Sequence, residues 1–210
     1  MKTPMILAAA TLASSFIASS AFAQEGGAPT SETSSKMRLG AQVEVLPVGS
    51  GKATLGGTTM TTDADIAYGV TGTFDYALTP YLSIGAAPRL VLNVIPNDAA
   101  PGGHADKELD LRARILGHFA VAPKLEVYAS VAPGYTMLMS SEDGVSNATG
   151  FAIGGAAGLT YDISPKMFLS GEVGYQRAFT SADLTVGNQT MSGDLALSYM
   201  HVGLGAGTRF

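Results

Sequence analysis

The chain has no cysteine. A disulfide framework, a lipid-anchored cysteine and a cysteine-based metal site are therefore excluded. Charge is also scarce. Asp, Glu, Lys and Arg make up 14% of the 210 residues, against about 25% in ordinary soluble domains. The net charge of −5 argues against a nucleic-acid partner, which would favour a basic stripe. Past the N-terminus, no stretch offers the ~18 uninterrupted apolar residues of a spanning helix. The three histidines lack a metal-binding spacing such as H-E-x-x-H. No metal or cofactor is expected.

What remains is greasy and small: a mean hydropathy of +0.24 and 26 glycines. Lys2, the apolar run Met5 to Ala13, then Phe16, Ile17 and Ala21-Phe22-Ala23 form a charged n-region, an h-region and an A-x-A cleavage signal. Residues 1–23 are thus expected to be a secretory signal peptide; the run is too short and too rich in Ser for an anchor. Residues 24–35, QEGGAPTSETSS, are polar and aperiodic and read as a flexible periplasmic leader. Residues 36–210 are one domain by length.

From Lys36 onward, apolar residues alternate with polar or small ones. Ile66, Tyr68, Val70, Phe74, Tyr76 and Leu78 share one face of a strand; Ala67, Gly69, Thr71, Thr73 and Asp75 share the other. The same alternation puts Leu82, Ile84, Leu90, Leu92 and Val94 outward on the next strand. The closing strand, Asp194 to Phe210, puts Met200, Val202 and Leu204 on one face and His201, Gly203, Gly205, Gly207 and Arg209 on the other. An exported, helix-free chain with one oily face throughout predicts a transmembrane β-barrel.

The strand count comes from a repeat. Tyr76–Pro80, Phe119–Pro123 and Tyr161–Pro165 share the pattern aromatic, any, aliphatic, small, Pro, at a period of about a strand, a long loop, a strand and a turn. Three such turns alternate with four longer loops: Gly49–Thr62, Pro96–Asp106, Ser140–Ala148 and Thr180–Gly193. The prediction is an all-β, eight-stranded antiparallel up-and-down barrel. Outward Phe151 and Tyr161 lie ten residues apart on one strand, or about 25 Å along the normal at ~40° tilt, the height of an outer-membrane apolar band. Aromatic girdles are expected from Tyr76, Phe119 and Tyr161 on the turn side and Tyr68, Tyr135 and Phe151 on the other.

Three features resist the pattern. Pro47, Pro88 and Pro133 fall within strands, where bulges or breaks are expected. Leu195, Leu197 and Tyr199 share the inward parity of the last strand, which suggests a bulge near Tyr199 or a strand top clear of the membrane. Arg177 takes the outward parity, tolerable near the rim.

The signal peptide, the eight alternating strands and the terminal Gly205-Ala206-Gly207-Thr208-Arg209-Phe210 resemble the small OmpA/OmpX-type outer-membrane barrels of Gram-negative bacteria. The resemblance covers about Met37 to Phe210. It implies export to the outer membrane, contact with its lipids, and recognition of the last strand and Phe210 by the barrel-assembly machinery. The peptidoglycan-binding domain of longer relatives is not expected here.

The inward parity collects Arg38, Glu44, Asp75, Arg89, Glu108, Asp110, Arg112, Arg114, Glu126, Asp162 and Glu172. An eight-stranded lumen is just wide enough for side chains to fill, so these charges must pair. Two readings follow: a structural plug, or a narrow porin-like path for small solutes or ions, gated by exchange of partners. The outer loops read as solvated connectors, with surface-ligand binding as the alternative. A lipid-active enzyme is disfavoured. Ser198 has the opposite parity to His201, and Asp110 lies eight residues from His118, about 26 Å along a strand. No local triad appears, and cross-strand pairs stay open.

Overall fold

Strict alternation makes each segment of this chain a ribbon with two unlike faces, and the only way to satisfy every backbone group of such ribbons in a membrane is to close them into a ring. The structure, a computed structural model, describes residues 36–64, 66–94, 107–139, 146–186 and 189–210. The expected signal peptide and leader, most of the loops Pro96–Asp106 and Ser140–Ala148, and His104 lie outside the described residues.

Among the described residues nine strands follow in order: β1 (Met37–Leu55), β2 (Thr58–Ala64), β3 (Ala67–Thr79), β4 (Leu82–Leu92), β5 (Lys107–Ala122), β6 (Leu125–Met139), β7 (Ala148–Asp162), β8 (Met167–Val186) and β9 (Gln189–Arg209). Neighbours pair antiparallel, and β1 also pairs with β9, closing the ring. β2 and β3 lie end to end along β1, which pairs with β3 over Met37–Leu46 and with β2 over Gly49–Leu55. Around the ring there are therefore eight staves, and the ninth strand is an upward extension of one of them. At the seam, Met37 and Phe210 exchange both backbone hydrogen bonds, N–H to O, at 3.1 and 3.0 Å.

Two expected loops are strand instead. Gly49–Thr62 is a hairpin turning at Gly56 and Gly57, whose φ values of 56° and 83° suit only glycine well. Thr180–Gly193 is the top of the β8–β9 pair. The Gly and Thr content of Gly49–Thr62 is what suggests a loop there. Threonine, however, favours strands, and neighbouring ribbons were available to pair.

The three prolines behave differently from one another. At Pro47 the β1–β9 register shifts between Val45 and Val48, a bulge as expected. At Pro88 and Pro133 the register holds. The β3–β4 ladder omits the pairs between Thr71–Arg89 and Phe74–Ala86, and the β5–β6 ladder those between Arg112–Gly134 and Ile115–Val131. Each proline lacks a donor towards only one neighbour, and on its other side it pairs in register with Leu111 or Ile153.

β9 has no bulge at Tyr199: its register with β8 is unbroken from Thr208 to Gln189. Leu197 and Tyr199 stay on the inner face and are 4% exposed. Val94, expected outward, is buried, because Asn93 takes a left-handed φ of 62° and reverses the face of the chain. Asn93 is held there by its amide donating to the Ile66 carbonyl at 3.0 Å.

The outer surface is an apolar belt that includes Val43, Val70, Leu111, Val131, Val173 and Leu204, all exposed. Tyr68, Tyr76, Phe119, Tyr135, Phe151 and Tyr161 are exposed on it, as is Phe210. Tyr135, Phe151 and Phe179 stand side by side across β6, β7 and β8. Tyr81 and Phe119 pack with centroids 5.8 Å apart at the turn side. Arg177 is outward and lies 4.9 Å over the Phe179 ring, which covers part of its charge.

Candidate functional site: the barrel lumen

Inward residues come from every stave, so groups far apart in the chain meet in layers. At the turn-side mouth Arg209 pairs with Asp162 at 2.5 Å and covers the Phe168 ring at 5.4 Å. Above it, Arg38 of β1 makes a two-pronged bond to Glu126 of β6, Nη1 to Oε1 at 2.5 Å and Nη2 to Oε2 at 2.8 Å. These strands stand opposite each other in the ring, so this bond spans the lumen.

Glu126 also lies 3.3 Å from His118 Nδ1, and His118 Nε2 is 2.9 Å from the Ser83 hydroxyl. The order serine, imidazole, carboxylate is the atom order of a hydrolase triad, assembled across three strands where no local spacing revealed it. Ser83 is 1% exposed and lines neither of the lumen cavities described below.

One layer up, Arg114 bridges Asp75 and Glu172, at 3.3 Å each. Glu172 accepts from the Tyr128 hydroxyl at 2.7 Å and lies 3.4 Å from His201 Nε2. Space for the two rings comes from glycine: a Cβ on Gly158 would stand 2.6 Å from the Tyr128 oxygen, and one on Gly174 would strike His201.

The next layer is the driest. Arg89 pairs with Glu44 at 2.8 Å and stands 3.6 Å from Asp110. Its Nη1 donates to the Gln176 oxygen at 2.5 Å, and Arg112 donates to the same oxygen at 2.8 Å. The Gln176 amide then donates to Asp110 at 2.8 Å and to Glu108 at 3.2 Å. Tyr199 donates to Glu108 from the opposite side of the ring, and Thr71 donates to Glu44. Arg89, Glu108, Asp110 and Gln176 are at most 1% exposed.

Above this layer the lumen turns apolar. Leu46, Ala67, Val91, Val94, Leu138 and Leu197 form one cluster closed below by Tyr199. Two small cavities are lined by described lumen residues. One of about 20 Å³ is lined by Arg112, Arg114, Ser130, Glu172 and His201. The other, of about 10 Å³, is lined by Leu46, Val91, Val94 and Tyr199.

Of the eleven charged residues singled out from the sequence, ten fall into these three interlinked layers, and Asp162 stands apart with Arg209. The sequence reading missed Gln176, the hub of the driest layer. Its parity with Glu172 was the available signal. Inward parity already places Tyr199, Leu195 and Leu197 inside, but it gives no partner for Tyr128 or Tyr199 and no sign that the upper lumen is an apolar cluster.

The model of the family described as outer membrane protein beta-barrel domain matches residues 8–210. The chain belongs to this family. A comparison with curated protein sequences returns no match. Among solved structures, the chain is similar to the outer membrane protein OprG from Pseudomonas aeruginosa, at 17% identity and TM-score 0.60, covering 83% of this chain and 94% of that one. Neisserial surface protein A matches at 14% identity and TM-score 0.52, covering 85% and 100%. AlkL, solved in lipid bilayers, matches at 17% and 0.50, covering 89% and 96%. The apolar belt of this outer-membrane barrel therefore meets hydrocarbon.

Proposed function

We propose that this outer-membrane barrel is a closed structural scaffold whose lumen is plugged by its own side chains, and that any recognition is carried by the outer hairpins. The observation that carries this reading is the set of bonds made directly across the ring: Arg38 to Glu126, Arg89 to Gln176 and Tyr199 to Glu108. A conducting path would have to break all three layers. The polar cavity between the second and third layers has room for about one water. The Ser83–His118–Glu126 chain fits the same reading as a brace, since Ser83 is buried away from both cavities and Arg38 occupies both Glu126 oxygens.

The last strand, with Phe210 at the seam beside Met37, is proposed as the contact with the barrel-assembly machinery. The β1–β2 hairpin, whose β2 residues are nearly all exposed, is proposed as the place where a surface ligand would bind. Residues 1–23 and 24–35 are proposed as the cleaved signal and leader.

Planar-bilayer recording tests the plug. The wild-type barrel is expected to give no steady conductance. A steady wild-type current, altered by Arg112→Ala or Glu126→Ala, would instead favour a narrow porin-like channel.

A further inference from the structure

Arg177 is an exposed cation on the outer face of β8. Among the described residues it makes no ion pair, and its guanidinium rests on the Phe179 ring at 4.9 Å. Phe179 is the next residue up on the same face, so this contact turns the guanidinium towards the β1–β2 hairpin end. The pairing register carries the two levels across the neighbouring strands. Phe179 stands opposite Ala196 of β9, and Ala196 opposite Lys52 of β1. One pleat lower, Arg177 stands opposite Ser198, and Ser198 opposite Ser50. These residues face outward, because Gly49, Gly51 and Leu197 between them are turned to the inside. Neighbouring Cβ atoms across strands lie about 5 Å apart. Arg177 and Lys52 therefore flank a shallow trough about 10 Å wide, floored by the small side chains of Ala196, Ser198 and Ser50. Lys52 is exposed and likewise makes no ion pair among the described residues, and neither serine hydroxyl has a hydrogen-bond partner among them. Directly below, Tyr175, Met200 and Val48 stand side by side on the same three strands, apolar and exposed.

We propose that this trough on β8, β9 and β1 is a binding site for a membrane lipid whose headgroup carries a phosphate monoester, with the acyl chains lying over Tyr175, Met200 and Val48. The site is outside the lumen and does not depend on the plug.

Each part of the trough has a task in holding such a headgroup. Arg177 offers a planar fork of donors that matches phosphate oxygens. Lys52 brings a point charge from the other side, and Ser198 and Ser50 donate from the floor. The apolar slot one pleat below favours a lipid over a free phosphate. Two carboxylates border the trough, Asp63 opposite Ser50 and Asp194 above Ala196; they confine an anion to the space over Ser198, next to Arg177. An arginine near the rim costs little by itself, and a side chain that merely reaches for the interface needs no such partners. The convergence of two cations and two hydroxyls above an apolar slot is what marks a headgroup seat.

The test uses the full chain refolded into phosphatidylcholine nanodiscs, in which phosphatidic acid replaces a rising share of the lipid. The backbone amide NMR signals of Ser50, Lys52, Arg177 and Ser198 are expected to shift and saturate, while those of Leu111 and Val131 on distant staves stay in place. The double variant Lys52→Gln/Arg177→Gln is expected to weaken this response by about thirtyfold, through the loss of two cations near the membrane surface. Unmoved Leu111 and Val131 signals show that its barrel is intact. If that variant does not fold, Lys52→Gln alone is expected to weaken the response by about fivefold. A wild type that does not respond, a shift that rises without saturating, or a variant that responds like the wild type would overturn the proposal. Inorganic phosphate added to phosphatidylcholine nanodiscs is expected to leave all four signals in place; saturation by inorganic phosphate would make the trough a free-anion site and overturn its assignment to a lipid. Failure of the plug reads out separately, as a steady conductance in planar bilayers.

Discussion

Arg38 and Glu126 lie 88 residues apart in the chain and on opposite staves of the ring, yet their side chains meet through two hydrogen bonds of 2.5 and 2.8 Å. A bond of that kind ties two halves of the barrel wall together, and both its geometry and its partial burial set it apart from an exposed ion pair. The side chains remain 18% and 15% exposed, so its worth lies below that of a fully enclosed pair.

A double-mutant cycle on Arg38→Ala and Glu126→Ala, measured by urea unfolding from vesicles, is expected to show a coupling of about 1–2 kcal/mol. Additive single effects would mean that the two groups do not act on each other in the membrane.

Tyr199→Phe removes the hydroxyl that donates to Glu108 and leaves a fully buried carboxylate short of a partner. The expected destabilisation is about 1–3 kcal/mol. Leu197→Ala, in the apolar storey just above, is expected to lose about 2–5 kcal/mol through the cavity it opens. A Leu197→Ala barrel as stable as wild type would show the upper storey to be loosely packed or wet.

The outer face gives a test of depth. Val173 sits on β8 about midway between Leu169, paired with Tyr161, and Phe179, paired with Phe151. Val173→Arg is expected to destabilise by about 2–4 kcal/mol, the midplane penalty for arginine on the lipid face. Arg177→Leu, four residues nearer the rim and already resting on Phe179, is expected to change stability by less than about 1 kcal/mol. Equal effects at the two positions would mean that the belt does not lie in hydrocarbon as placed here.

Much of this barrel was legible in its sequence, for a physical reason. The strand period is two, and hydrocarbon outside demands an apolar residue at every second position, so runs such as Ile66 to Leu78 state both strand and orientation. The Tyr76–Pro80, Phe119–Pro123 and Tyr161–Pro165 repeat stated the turns. What escaped was what parity does not encode. Asn93 reverses the face of the chain through one left-handed residue, which put Val94 inside. Leu195, Leu197 and Tyr199 break the pattern of small, polar and charged inward residues on the other strands, so parity alone suggests a bulge where there is none. An apolar residue inside is as compatible with a closed lumen as a salt bridge, and only the neighbouring Leu46, Val91 and Leu138 make that visible. The Ser83, His118 and Glu126 chain and the hub at Gln176 depend on which staves face one another, which no spacing along the chain records.

The absence of cysteine makes the closed lumen directly measurable. Ser130→Cys places a thiol on the larger lumen cavity, and Thr61→Cys places one on the exposed β2. With the barrel in vesicles and a charged methanethiosulfonate reagent on both sides, Thr61→Cys is expected to react fully while Ser130→Cys stays unmodified until the barrel is unfolded. Modification of Ser130→Cys in the folded barrel at the rate of Thr61→Cys would show that water and ions pass freely through the layers and would contradict a lumen closed by Arg38, Arg89, Gln176 and their partners.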